Sequence, residues 1–443
     1  MVKKLLFSLS FLCIMSASNC QWLNLGNNSF FAEAIAVDDT GNVYAGGYFT
    51  DSSGNEYVAK WNGEKWIELG TGNNALNANE MIKVITIDGK GNIYAAGHFS
   101  DSSGKNYVAQ WNGTKWSQLG ADSNECSSYN AINSILVDDS GNVYTNVGNI
   151  LGTVFNVEKW NKTGWSYVGD SNSLNANSFI GPVVLDKYGN IYTAGNFMDN
   201  NGKQYVAKWD GVRWSELGGM GINALNANSL IITLVLDDTG NVYVAGNFTN
   251  ADGYFYVAKW NGQTWAELGN GTTALNANSW INSMAFDKSG NLYVVGHYTN
   301  NNQYSYVAKW DGIGWSALDT TNEFIEIYTI AIDNSNNIYV SGLTEEMNCV
   351  ARYSLANVTN IANSTTTNST INAYPNPTNG SITINTPESG QISIYNTLGE
   401  AIVTQNLQVG NANISLDRVP TGIYTIIFTG QNNSYIPIKV VKE

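Results

Sequence analysis

The sequence predicts an all-β chain: a seven-bladed β-propeller followed by a small, immunoglobulin-like C-terminal β-sandwich. Three observations carry this. One tyrosine recurs at Tyr44, Tyr94, Tyr144, Tyr192, Tyr243, Tyr293 and Tyr339, in steps of 50, 50, 48, 51, 50 and 46 residues, a period that belongs to solenoids, propellers and arrays. Tryptophan pairs close the units at Trp61/Trp66, Trp111/Trp116, Trp160/Trp165, Trp209/Trp214, Trp260/Trp265 and Trp310/Trp315. Five of the six prolines lie in the last 70 residues, so a different domain begins near Asn372.

In chain order, residues 1–20 read as a secretory signal peptide. Lys3-Lys4 is the positive start, Leu5–Met15 is an apolar core too short to span a bilayer, and Ser16-Ala17-Ser18 offers small residues for cleavage. Cleavage after Ser18 or after Cys20 both fit. Cys20 raises a lipoprotein reading, which Ala17-Ser18-Asn19 supports poorly because a small residue should precede the cysteine. Residues 21–354 form the propeller, 355–371 a Ser/Thr/Asn-rich linker with little to pack, and 372–443 the second domain.

Within a unit, Ala34–Val37 is apolar and enters the turn Asp38-Asp39-Thr40-Gly41-Asn42. Val43–Phe49 is rich in aromatic and β-branched residues, Tyr57–Trp61 follows a polar loop, and Trp66–Leu69 ends the unit. No segment after the leader has a helical period. Asn62-Gly63 reads as a two-residue hairpin turn with both residues at positive φ, which places Trp66 opposite Ala59. Four-stranded units with aromatic marks are propeller blades. Trp22–Gly26 matches Trp66–Gly70 and stands alone at the front, while the seventh unit, Ile330–Tyr353, lacks a fourth strand. The front strand is therefore expected to complete the last blade and remove the open edge. The pattern D-x-x-G-N-x-Y followed by glycine resembles bacterial seven-bladed propeller repeats over residues 22–353. That resemblance implies a scaffold and no particular function.

Four sets of residues are candidates for chemistry. Asp38, Asp88, Asp138, Asp186, Asp237, Asp287 and Asp333 could form a carboxylate ring for Ca²⁺. They more simply cap the following turn, since Gly41 and its equivalents supply a left-handed residue and Asn336 replaces it in the seventh unit. The tryptophans could bind sugar but read as packing between blades, with Trp280 outside the pattern and more exposed. The Asn-rich loop recurs with Asn77 and Asn79, Asn175 and Asn177, Asn226 and Asn228, Asn276 and Asn278. It is the candidate binding face, because Asn both donates and accepts. His98 and His297 share one position in non-adjacent blades and carry little catalytic meaning alone. No catalytic, cofactor or metal residue is assigned. Cys126 and Cys349 should lie far apart, so no disulfide is expected. Blade 3 diverges over Asn146–Gly152.

The tail opens with Tyr374-Pro375-Asn376-Pro377 and Gly380, continues through Ile392–Glu400 with Gly399, then Pro420–Tyr424 with Gly422 and Tyr424, and ends on Lys439–Glu443 with Lys442. This order resembles the type A C-terminal sorting domain of the type IX secretion system. The resemblance implies recognition by that machinery through the tail, export across the outer membrane, and an extracellular or outer-surface address. A net charge of −15 and pI near 4.5 argue against nucleic acid, and no transmembrane helix is expected. The sequence therefore points to a secreted or surface-attached binding or structural module, whose partner is an extracellular protein or glycan that the residues do not name. The alternative is an extracellular enzyme acting on polysaccharide at the channel mouth. Two or more carboxylates converging there with a His or Tyr would favour the enzyme.

Overall fold

The computed structural model describes residues 22–26, 30–120, 128–148, 151–152, 155–170, 173–174, 176–219, 221–318, 322–353, 372–386, 388–396, 401–417, 419–430 and 438–443. The leader, the linker, Cys126, Asn175 and Gly399 lie outside them. The chain divides into two compact units, residues 1–355 and 356–443.

Among the described residues, the first unit contains seven four-stranded antiparallel sheets. In the first, Phe31–Val37 pairs with Val43–Tyr48, which pairs with Ala59–Trp61, which pairs with Trp66–Glu68. The first strand of each sheet packs against the first strand of the next, and Phe324–Ile332 of the last sheet packs back on Phe31–Val37. The ring is thus closed. Its seam is the expected one: Trp22, Leu23 and Asn24 pair with Tyr353, Arg352 and Ala351. Trp22 is buried, with its ring 5.3 Å from Phe324 and 5.1 Å from Tyr353.

The core lies between blades. Trp66 donates from Nε1 to the Leu25 carbonyl at 2.6 Å, Trp116 to Leu69 at 2.7 Å and Trp315 to Leu268 at 2.8 Å. Each fourth-strand indole thus reaches back to the preceding blade, satisfying its one donor while its ring is buried or half-buried. The hairpin before it differs from the sequence expectation. Trp61 pairs with Trp66, and Ala59 pairs with Glu68. The connection has four residues because the Asn62 side chain accepts the N–H groups of Glu64 and Lys65 at 2.9 and 2.8 Å. Gly63 supplies positive φ at 98°, and Asn62 is not among the positive-φ residues. The side-chain turn outcompetes the two-residue turn.

On the side opposite the Asn-rich loops, each aspartate is saturated by its own hairpin. Asp38 Oδ1 accepts Thr40 N–H and Asn42 N–H at 3.0 and 2.9 Å, and Oδ2 accepts Asn42 Nδ2 and the Tyr44 hydroxyl at 2.7 and 3.2 Å. The pattern of backbone, Asn and Tyr donors recurs at Asp237 and Asp333. Burial opposes ionisation of Asp38, Asp88, Asp138, Asp186 and Asp237, but the donated hydrogen bonds outweigh it, and their carboxyls lie below the usual range. Asp237 falls from 3.8 to about 2. A depressed folded-state pKa contributes stability above the unfolded value that is lost as pH falls through the folded one. The melting temperature is therefore expected to drop between pH 4 and pH 2. Asp237→Asn should flatten that drop by on the order of 1 kcal/mol after solvent screening, measured by calorimetry across the window.

The second unit is a sandwich of two sheets. One has Asn372–Tyr374, Ser381–Thr386 and Gly410–Ser415; the other has Ala401–Leu407, Gly390–Tyr395, Gly422–Gly430 and Ile438–Lys442 in that order. Ile382, Ile384 and Ile414 from the first sheet meet Ile392, Ile394, Tyr424, Ile426, Phe428 and Val440 from the second.

Candidate functional site at the channel mouth

The first strand of every blade runs along the central channel, and in most blades it is not regular. Pairing shifts between Ala32 and Ala34, Ile82 and Val84, Ile231 and Thr233, Ile281 and Ser283, and Ile327 and Thr329. One residue is squeezed out of the ladder each time: Glu33, Lys83, Ile232, Asn282 and Tyr328. In blade 4 the same shift takes in Gly181 and Pro182. Such bulges re-aim a side chain and sharpen local twist.

A glycine makes the bulge possible. A Cβ on Gly47 would lie 2.1 Å from the Phe31 carbonyl oxygen and 2.7 Å from Glu33 N. The equivalents Gly97, Gly195, Gly246, Gly296 and Gly342 face the corresponding carbonyls of Met81, Phe179, Leu230, Trp280 and Glu326 at 2.1–2.5 Å. Blade 3 has Val147 at this position, and there the inner strand is reduced to Ile135–Val137. The Asn146 side chain takes over, accepting the N–H groups of Asn133 and Ser134 at 2.9 and 3.0 Å. The divergence of blade 3 thus has a local cause: with no glycine, the close approach is lost.

The bulged residues and their neighbours line a cavity of about 600 Å³ that includes Phe31, Glu33, Lys83, Asn133, Phe179, Leu230, Ile232, Asn282, His297, Glu326 and Tyr328. Lys83 Nζ pairs with Glu33 Oε1, both half-buried. His297 Nδ1 is 3.6 Å from Glu326 Oε1. The Trp280 ring, 38% exposed, lies 4.4 Å from His297. Phe31 stacks on Tyr328 at 4.5 Å and meets the exposed Tyr48 at 5.9 Å. Burial first, then the charge and hydrogen bond of Glu326 and the charge of Glu33, push the Tyr328 phenol up to about 12. It therefore remains a proton donor near neutral pH. Two carboxylates, a histidine, a lysine and a tyrosine meet at one opening.

The predicted Asn face lies at the same end, because its loops lead into the first strands. All its described residues are exposed. Asn77, Asn226 and Asn276 hold left-handed φ of 51°, 52° and 49°. Asn79 Oδ1 accepts Ser100 N–H at 2.9 Å, as Asn177 accepts Met198, Asn228 accepts Thr249 and Asn278 accepts Thr299. The first asparagine shapes the loop and the second ties it to the next blade. Asn177 also borders an outer groove with Asp199, Tyr205, Trp214 and Glu216. His98 is exposed at the position equivalent to His297. Among the described residues, no three or more His, Cys, Asp or Glu come together to hold a metal. No helix among them is long and apolar enough to cross a membrane. The mouth cluster leaves no mark in what repeats. Aligning the units on their aspartates places Glu33, Lys83, Asn133, Gly181, Ile232, Asn282 and Tyr328 in one variable column.

In the sandwich, Tyr374, Pro375, Asn376 and Pro377 are exposed, and Tyr424 is buried with its hydroxyl on the Pro420 carbonyl at 2.6 Å. Gly380 sits against Asp417, and Gly422 begins a strand. The exposed Lys439 lies on the last strand, as does the buried Lys442, whose Nζ donates to the Val419 carbonyl at 2.7 Å.

Residues 372–443 match the secretion system C-terminal sorting domain family, and residues 266–304, within which Trp280, Asn282 and His297 fall, match a β-propeller repeat family. No curated protein matches. Among solved structures, the chain is similar to PorZ, described as an essential bacterial surface component of the type IX secretion system of Porphyromonas gingivalis. The identity is 14%, over 94% of this chain and 60% of that one, with a TM-score of 0.49. The hydrazine synthase of Kuenenia stuttgartiensis is 12% identical over 75% of this chain and 97% of that one, with a TM-score of 0.51. A polysaccharide lyase described as an ulvan lyase is 13% identical over 74% and 93%, with a TM-score of 0.45. The chain thus spans about 60% of the length of PorZ. At these identities the likeness to solved structures is one of fold. The match at the tail says more: residues 372–443 are a type IX secretion system C-terminal sorting domain, and the chain is a β-propeller protein delivered to the cell surface or the extracellular space.

Proposed function

We propose that this protein is an extracellular binding module, led into export by its signal peptide, that takes a polar ligand at the channel mouth of its propeller. The observation that carries this reading is the bulge. Every blade but the third presses residues out of the inner strand at the same place, and those residues differ in charge and polarity around a single opening. A scaffold needing only stability gains nothing from Glu33, Lys83 and Tyr328 at half-buried positions, where each costs desolvation. The exposed ring of Trp280 adds an aromatic platform. The test is a glycan and protein-partner binding screen with the full secreted chain. Trp280→Ala is expected to weaken the captured ligand by about tenfold or more. Undiminished binding in this variant and in Lys83→Ala would remove the mouth as the site.

A second reading, the enzyme, meets the criterion of converging carboxylates with a His and a Tyr; it stands second because one of the two carboxylates, Glu33, is engaged by Lys83. Glu33 and Glu326 converge with His297 and Tyr328, a set that can hold, accept and donate protons during cleavage of a polysaccharide. Release of new chain ends from a polysaccharide, abolished in Glu326→Gln with the fold intact, would make the protein an enzyme.

A further inference from the structure

We infer that the ligand of the mouth is an uncharged saccharide; this rests on the reading that the mouth is the binding site. The opening is divided. On one side, blades 6, 7, 1, 2 and 3 contribute Asn282, His297, Glu326, Tyr328, Glu33, Lys83 and Asn133, with Phe31 among them. On the other, blades 4 and 5 contribute Phe179, Gly181, Pro182, Leu230 and Ile232. The repeated blades therefore build a ring whose polar and charged side chains gather on one arc, while the facing arc is mainly apolar.

A pyranose is divided in the same way. It has a face of C–H bonds that packs on apolar and aromatic side chains, and a rim of hydroxyls that each donate and accept. Carboxylates, an amide, an imidazole and a phenol in one arc supply both kinds of partner within a cavity of about 600 Å³, a size suited to one or two sugar rings.

Charge narrows the class further. The polar arc holds two carboxylates against one lysine, and that lysine is already engaged by Glu33. An acidic sugar would have to break the Glu33–Lys83 pair or place its carboxylate near Glu326, where like charges repel. Uncharged hydroxyls meet neither cost.

The experiment titrates the full secreted chain with neutral gluco- and manno-oligosaccharides, with uronate oligosaccharides of equal length, and with a polar peptide. Neutral saccharide is expected to bind about tenfold or more tighter than uronate. The double variant Glu33→Gln with Glu326→Gln should narrow or reverse that preference, while Trp280→Ala should weaken both. Tighter binding of uronate or of peptide, lost in Trp280→Ala, would overturn the uncharged-saccharide class and leave the mouth as the site. Saccharide binding unchanged in all these variants would overturn the mouth itself. Absence of saccharide binding would overturn the inference.

Discussion

Removal of Lys439–Glu443 is expected to abolish export, leaving the protein inside the outer membrane. The strand it deletes does three things in the sandwich. Val440 is fully buried in the core, and Lys442 closes on the Val419 carbonyl. The strand also anchors the opening motif of the domain. Asn376 Nδ2 donates to the Lys439 carbonyl at 2.7 Å, its Oδ1 accepts Val441 N–H at 2.9 Å, and Thr378 exchanges backbone hydrogen bonds with Val441 and Glu443 at 2.9 Å each. Tyr374–Gly380 and Lys439–Glu443, at opposite ends of the domain sequence, thus form one edge. A sandwich of this size has little core to spare, so losing the strand releases both ends of the motif. Cell fractionation of a strain making the truncated chain is the measurement. Arrival at the surface or in the medium in normal amount would show that this edge is not what the machinery needs. Asn376→Ala separates the two contributions: it keeps Val440 in the core and removes two hydrogen bonds, and is expected to reduce export partially.

Gly47→Ala is expected to destabilise the propeller by about 3 kcal/mol or more, a large loss for one methyl group. The new Cβ would overlap the Phe31 carbonyl at 2.1 Å, and backbone cannot rotate away as a side chain can. The strand must retreat, as it has where Val147 occupies this position in blade 3. Retreat dissolves the bulge that aims Glu33 at Lys83, so ligand binding at the mouth should fall with stability. Chemical denaturation gives the first number and titration the second. A variant of normal stability and normal binding would show that the bulge is not held by the glycine. Normal stability with lost binding would show that the strand can relax at little cost and that Glu33 matters directly.

Much of this architecture was legible because it repeats. Tyr44 and its equivalents, the Asp-turn-Asn-Tyr pattern and the tryptophan pairs are local devices. Each satisfies its own hydrogen bonds or its own seam, so each blade writes them out again. The orphan strand Trp22–Gly26 revealed closure for the same reason, since an unpaired blade edge must find a partner. The tail was legible through the order of its motifs. Register in the Asn62–Lys65 hairpin was not, because a side-chain turn and a two-residue turn share the same Asn-Gly signature. The sequence pattern marks the first strand only from Ala34, whereas the strand begins at Phe31, because the bulge interrupts the alternation that marks a strand. That interruption also hid the site. Glu33, Lys83, Asn282, Tyr328 and Glu326 are scattered over about 300 residues of sequence, and within each unit they look like ordinary variation. Only closure of the ring sets them around one opening, where burial raises the Tyr328 phenol, Lys83 finds Glu33 and His297 stands beside Glu326. The sequence alone determined the blade, the seam and the route out of the cell. The meeting of unlike residues at the channel mouth was decided by tertiary structure, because convergence is a property of the ring and of no single repeat.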